Sequence, residues 1–194
     1  MDMNDRSPQN TNQIKLNKVA FKIYHQSVRS LRKKSHELLC HVYPVLPHVI
    51  CLMQHHLNIL GKSHVNIEGY TIWAQFCRVS YEKRGVIIYA HNTLKFINIG
   101  LSEYCKEKDI EICVVKLIIN SLNMCIITIY RAPTGNFNFF LQNLDKVLLS
   151  WYTPASHIII CGDLNINYLV ENEQKKQLDN WILCFPSRSV SKVI

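Results

Sequence analysis

Hydrophobic and polar positions follow two periods along this chain, and the switches between them mark its elements. Residues 20–26 (AFKIYHQ) alternate Phe21 and Ile23 with polar partners, the period of a strand. After Ser27-Val28-Arg29-Ser30 the period lengthens. Leu31, Leu38, Leu39 and Val42 fall on one helical face, with Arg32, Lys33 and Lys34 off it. Ser30 stands where an N-cap belongs, and Pro44 and Pro47 end the helix. Residues 48–53 (HVICLM) form a short apolar run of buried-strand length, so the segment reads as strand, helix, strand: a βαβ unit.

Further on, Gly69 signals a turn, and residues 71–79 and 85–90 read as strands joined by the polar residues 81–84. Residues 111–119 and 123–130 are rich in β-branched side chains. The short Asn120-Ser121-Leu122 connection predicts an antiparallel hairpin. Beyond Pro133 and Gly135, Phe137, Phe140, Leu141, Leu144, Leu148 and Trp151 recur at helical spacing, the clearest helix of the chain, closed by Pro154. Residues 157–167 (HIIICGDLNIN) run an apolar strand straight into a carboxylate and an amide. A last helix is expected over 171–184, and 186–194 carry no clear element. Strands alternating with helices place the chain in the α/β class.

Composition narrows this further. The 194 residues suit one domain with a sizeable core. Residues 1–17 are polar and read as a disordered arm, leaving 18–185 for the domain and 186–194 as a tail. The net charge of +8 is compatible with a polyanionic partner such as DNA, although solubility alone is the plainer reading of the charge by itself. The excess is strongest early: residues 1–36 hold eight Lys or Arg and two Asp. The eight cysteines form no C-x-x-C pair and mostly sit in apolar runs, as small buried hydrophobes. The polar opening and the lack of an 18-residue apolar run predict no signal peptide and no membrane span, hence a reducing intracellular setting, cytoplasmic or nuclear.

Asp163 and Asn165 lead the candidate chemistry. At the carboxyl end of a strand, a carboxylate can bind a divalent cation or activate a water, and a nearby amide can hold a phosphate oxygen. The same residues also suit a plain D-x-N turn. Tyr130 could donate to a phosphate oxygen, or Arg131 could make that contact as a planar fork; taken alone, the pair reads first as a core tyrosine beside a surface arginine. Gln54-His55-His56 does not read as a zinc site, because adjacent side chains on an extended segment point to opposite faces.

Together, HIIICGDLNIN, KIYHQSVRSL, HVICLMQHHL, EGYTIWAQFCRVSYEKRGVIIYA and ITIYRAPTGNFNFFLQNLDKVL resemble, in order and spacing, the endonuclease/exonuclease/phosphatase superfamily. The nearest likeness is to the endonuclease domain of non-LTR retrotransposons, over residues 20–180. The resemblance implies a four-layer sandwich of two mixed β-sheets flanked by helices, incomplete at the C-terminus. It also implies Mg²⁺-dependent cleavage of a DNA phosphodiester by an activated water. Asp163 would orient or deprotonate that water, Asn165 would hold the phosphate, and Tyr130 would donate to it in the transition state. A reverse transcriptase domain would lie downstream in a full-length relative. The sequence departs from the pattern at Gln54, where the family has its metal-binding Glu, and at Ser27, where an Asn is usual. No S-x-x-D-H stretch follows Asn165. The reading is therefore a degenerate endonuclease domain, with a catalytically dead nucleic-acid-binding module, a decayed transposon fragment and a phosphatase of the same superfamily as alternatives.

Overall fold

The computed structural model describes residues 21–57, 65–80, 84–119, 122–151, 153, 156–184 and 190–193. The expected N-terminal arm, the residue pair at the hairpin tip and Pro154 lie outside them. Nine strands, three α-helices and one 3-10 turn are seen among the described residues. In chain order they are β1 (Ile23–Ser27), α1 (Leu31–Val45), β2 (Val49–Met53), β3 (Tyr70–Phe76), β4 (Val86–His91), β5 (Phe96–Ile99), β6 (Glu111–Ile119), β7 (Leu122–Tyr130), α2 (Phe137–Trp151), β8 (Ser156–Asp163), α3 (Glu173–Leu183) and β9 (Val190–Val193).

The strands form two mixed sheets, β1-β2-β4-β3 and β5-β6-β7-β8-β9. β1 and β2 are parallel neighbours, as a βαβ unit requires. Strand alternation then splits each apolar run between two cores. Val49, Cys51 and Met53 face the second sheet, packing with Val115, Ile126 and Cys161. Ile50 and Leu52 face outward onto Leu31, Leu38 and Val42 of α1. In the second sheet Ile127, Ile129, Ile158 and Ile160 face out onto Phe140, Leu144 and Leu148 of α2, with Leu178 of α3 in the same cluster. Helix, sheet, sheet and helices thus stack as four layers. Strands covered on both faces read as unbroken hydrophobic runs, which is why β2 and β8 looked continuous rather than alternating. Each large side chain so buried contributes about 1.5–3 kcal/mol.

Several expectations need correction. Ser30 does not cap α1 with its side chain; its φ is 95°. The chain entering the helix is held by the carbonyls leaving β2, Ser30 N donating to Gln54 O and Leu31 N to His55 O, both at 3.0 Å. α1 passes through Pro44 and ends at Val45, where Leu46 takes the left-handed cap and its N–H donates to Val42 O. β5 was not foreseen: its four residues are too short for period alone to reveal. Val190–Val193, read as tail, is a strand hydrogen-bonded in parallel to β8.

Candidate active site

The carboxyl ends of β1, β2 and β8 meet at one edge of the two-sheet sandwich. His25, Ser27, Met53, Asp163 and Asn165 line a cleft of about 220 Å³ there. Parallel pairing places Ser27 level with Met53, immediately before Gln54, and Tyr130 level with Asp163. Gly162 allows this closeness, since a Cβ on it would come 2.4 Å from the Ile129 carbonyl oxygen.

Asp163 is half-buried. Its Oδ2 accepts a hydrogen bond from Gln54 Nε2 at 3.4 Å, across the gap between the sheets. Its Oδ1 accepts from Asn165 N at 3.2 Å, the Asx-turn geometry that the turn reading anticipated. Gln54 and Asn165 are both left-handed, with φ of 57° and 50°. Non-glycine residues rarely adopt that region, and such conformations concentrate at functional sites. The Asn165 amide donates from Nδ2 to Arg131 O at 2.6 Å.

Tyr130 is buried between the sheets, and its hydroxyl has no hydrogen-bond partner among the described residues. Arg131 is also buried, contrary to the surface position considered for it. Its Nε donates to Leu164 O (2.9 Å), Nη1 to Gly135 O (2.9 Å), and Nη2 to Asn165 O (3.1 Å) and Gln174 Oε1 (3.2 Å). With its fork spent on these carbonyls, Arg131 shapes the loop that presents Asn165 and is not placed to grip a phosphate. Burial lowers its pKa.

Two residues here escaped the sequence reading. His25 shares a strand face with Ser27, two positions on, and among the described residues its buried Nδ1 has no partner, nor has Ser27 Oγ. Burial pulls the His25 pKa down. Strand period alone could have paired them. Arg84 is the other: its guanidinium lies 5.2 Å from the centre of the Tyr130 ring, across 46 residues of chain that no local pattern bridges. His55 turned out to be a core residue. Its Nε2 meets Phe76 O at 3.0 Å and its Nδ1 accepts from Leu57 N at 2.9 Å.

The residues that would hold Mg²⁺ are Asp163, Gln54 and Ser27. Magnesium sites are built on carboxylates and ordered water. Here Gln54 turns an N–H toward Asp163; the reversed amide would set oxygen against carboxylate oxygen. The neighbouring carboxylate along the second sheet, Glu111, is engaged by Arg78. Among the described residues no three His, Cys, Asp or Glu side chains gather closely enough to hold an ion. This donor set does not fit Mg²⁺.

No protein-family model and no curated protein sequence matches the chain. Its architecture does match solved structures. The endonuclease domain of TRAS1, a telomere-specific non-LTR retrotransposon, superposes with a TM-score of 0.65 at 11% identity, covering 84% of this chain and 69% of that one. An endonuclease/exonuclease/phosphatase family protein from Leptotrichia buccalis gives 0.58 at 11%, over 84% and 73%. The chain has the endonuclease/exonuclease/phosphatase fold. D. rerio TDP2, complexed with single strand DNA product, shares this fold with a TM-score of 0.55 at 10% identity, over 82% of this chain and 64% of that one. This chain therefore spans about two thirds of the length of these structures. In this endonuclease/exonuclease/phosphatase fold, the two sheets bring Gln54 and Asp163 together from opposite layers. No helix among the described residues is long and apolar enough to cross a membrane.

Proposed function

We propose that the chain is a retrotransposon-type endonuclease domain that binds nucleic-acid phosphates at the cleft between its two sheets and cleaves them poorly. The carrying observation is the Gln54–Asp163 hydrogen bond. It occupies the position at which two acidic side chains would share a metal with a neutral amide and a single carboxylate. The net charge of +8 favours a polyanion, and the DNA product complexed with D. rerio TDP2 shows the fold in such company.

The surviving side chains still suit parts of the chemistry. Asp163 can orient a water and accept its proton. Asn165, on its left-handed turn, can position a phosphate oxygen beside it. Tyr130 supplies a hydroxyl whose hydrogen-bonding capacity is unspent. A divalent metal would act as a Lewis acid on the phosphate, the contribution that Gln54 weakens. Cleavage should fall by roughly 100-fold or more, since disturbing merely the groups that orient metal ligands costs up to about 100-fold.

Incubation of purified protein with supercoiled plasmid and Mg²⁺ tests this reading. Nicking at most slightly faster than that of an Asp163→Ala control is expected. Nicking well above the control would show that the Gln54 site still supports catalysis.

A further inference from the structure

Glu111, Tyr130 and Asp163 stand in one row across the second sheet, because the register pairs Glu111 with Tyr130 and Tyr130 with Asp163. Each is met by a residue from the first sheet's side. Arg78 binds Glu111 in a buried ion pair. Gln54 binds Asp163. Between them Arg84 lies over the Tyr130 ring.

The outer two positions are hydrogen-bonded pairs, and the middle one is not. Tyr130 has a buried hydroxyl without a partner among the described residues. Arg84, half-buried, meets an aromatic face instead of a carboxylate, and no hydrogen bond from it is seen among the described residues. Its place is nevertheless fixed by the next residue. Gly85 N donates to Glu111 Oε2 at 3.0 Å, and Gly85 O accepts from Gln54 N at 2.8 Å. Gly85 has φ of +109°, and a Cβ there would come 2.5 Å from both His55 Nε2 and Phe76 O. The main chain therefore holds a cation between the two closed pairs, next to Gln54.

We propose that Arg84, held next to the Gln54–Asp163 pair at the edge of the cleft, is a phosphate-binding cation, and that it takes a nucleic-acid phosphodiester there without a divalent metal. The proposal rests on the nucleic-acid reading above and specifies how the phosphate is held. Where a carboxylate pair would attract a metal, this row offers donors: the Arg84 guanidinium and the second N–H of the Gln54 amide. A phosphate diester, with acceptor oxygens and one negative charge, complements that set. A guanidinium binds such an anion through two parallel N–H bonds, and partial burial beside an aromatic face limits its screening by salt.

The test is fluorescence anisotropy with a fluorescein-labelled DNA oligonucleotide, in EDTA, over a range of salt concentrations. Wild-type protein should bind in EDTA, and added Mg²⁺ should leave the affinity unchanged or lower it. Arg84→Ala should weaken binding about tenfold and reduce the slope of log affinity against log salt by about 1. Arg84→Lys should keep the slope and lose part of the affinity, because an ammonium lacks the fork. Circular dichroism checks that each variant is folded. Should Arg84→Ala not fold, the slope and affinity of Arg84→Lys still decide the matter. Affinity unaltered by both substitutions, or wild-type binding that requires Mg²⁺, overturns the proposal and leaves the nucleic-acid reading standing. Absence of DNA binding by the wild type overturns both.

Discussion

Gln54 Nε2 lies 3.4 Å from Asp163 Oδ2, which joins two residues 109 positions apart and the two sheets on which they stand. A donor thus faces the carboxylate where the resemblance implies a second acid. Gln54→Glu should reverse this. Without metal, two carboxylates would face each other and destabilise the fold by about 1–3 kcal/mol. Millimolar Mg²⁺ should restore the melting temperature of the variant and leave that of the wild type unmoved. Thermal unfolding with and without Mg²⁺ reads this directly, and an equal Mg²⁺ response in both proteins would contradict it.

His55 gives the stability a pH dependence. Burial lowers its pKa from 6.5 to about 4. A histidine held neutral in the fold and free to protonate when unfolded stabilises the protein above the unfolded pKa. That contribution is lost as pH falls from 6.5 toward 4. The linked loss is about 3 kcal/mol when complete. Protonating Nδ1 would also remove the acceptor of Leu57 N. Urea unfolding at pH 7 and pH 4 should show a steeper decline for wild type than for His55→Gln. Parallel declines would mean that His55 does not titrate in the folded chain.

Arg131→Lys should act on stability before it acts on binding. The guanidinium satisfies the carbonyls of Leu164, Gly135 and Asn165, and a point ammonium cannot reach all three. A loss of about 1.5–3 kcal/mol is expected, the range for a hydrogen bond to a charged group. A direct phosphate contact would show the opposite signature, weaker DNA binding with an unchanged melting temperature.

Thiol labelling should separate the cysteines by depth. Cys40 and Cys184 are exposed and should react within the dead time of a slow titration with an aromatic disulfide reagent. Cys51 and Cys113 are buried; the hydrogen bond with the Cys161 thiol, together with burial, pushes the Cys51 thiol well up, and burial does so for Cys113. They should react at the rate of unfolding, since the thiolate is the nucleophile. Peptide mapping of early-labelled protein that finds Cys51 or Cys113 would indicate a looser core.

The positions of the major elements were legible because each carries a dense local signal. Leu31, Leu38 and Val42 announce α1, and Phe140, Leu144 and Leu148 announce α2, by period alone. β5 and β9 were not legible. With four residues each, they owe their state to hydrogen bonds with β6 and β8 that no local window contains. Ser30 misled for a related reason: its backbone, with φ of 95°, is placed by the bonds of Ser30 N and Leu31 N to the Gln54 and His55 carbonyls, which no local window contains.

At the site, local chemistry singled out Asp163, Asn165 and Tyr130 as residue types able to work on a phosphate. The sequence also showed that Gln54 stands where an acid is expected. It could not say which way Arg131 points, since a guanidinium beside a strand end suits either a phosphate or a set of backbone carbonyls. The choice falls to the carbonyls because the loops carrying Gly135 and Leu164 close over it. Nor could it place Arg84 over Tyr130 or His25 in the cleft. Those relations exist only once the two sheets stack. Sequence period determines which faces are apolar, and hence the layers. Which polar ends meet where the layers meet is decided by register and packing, and in this chain those bring Gln54 to Asp163 and Arg84 to Tyr130.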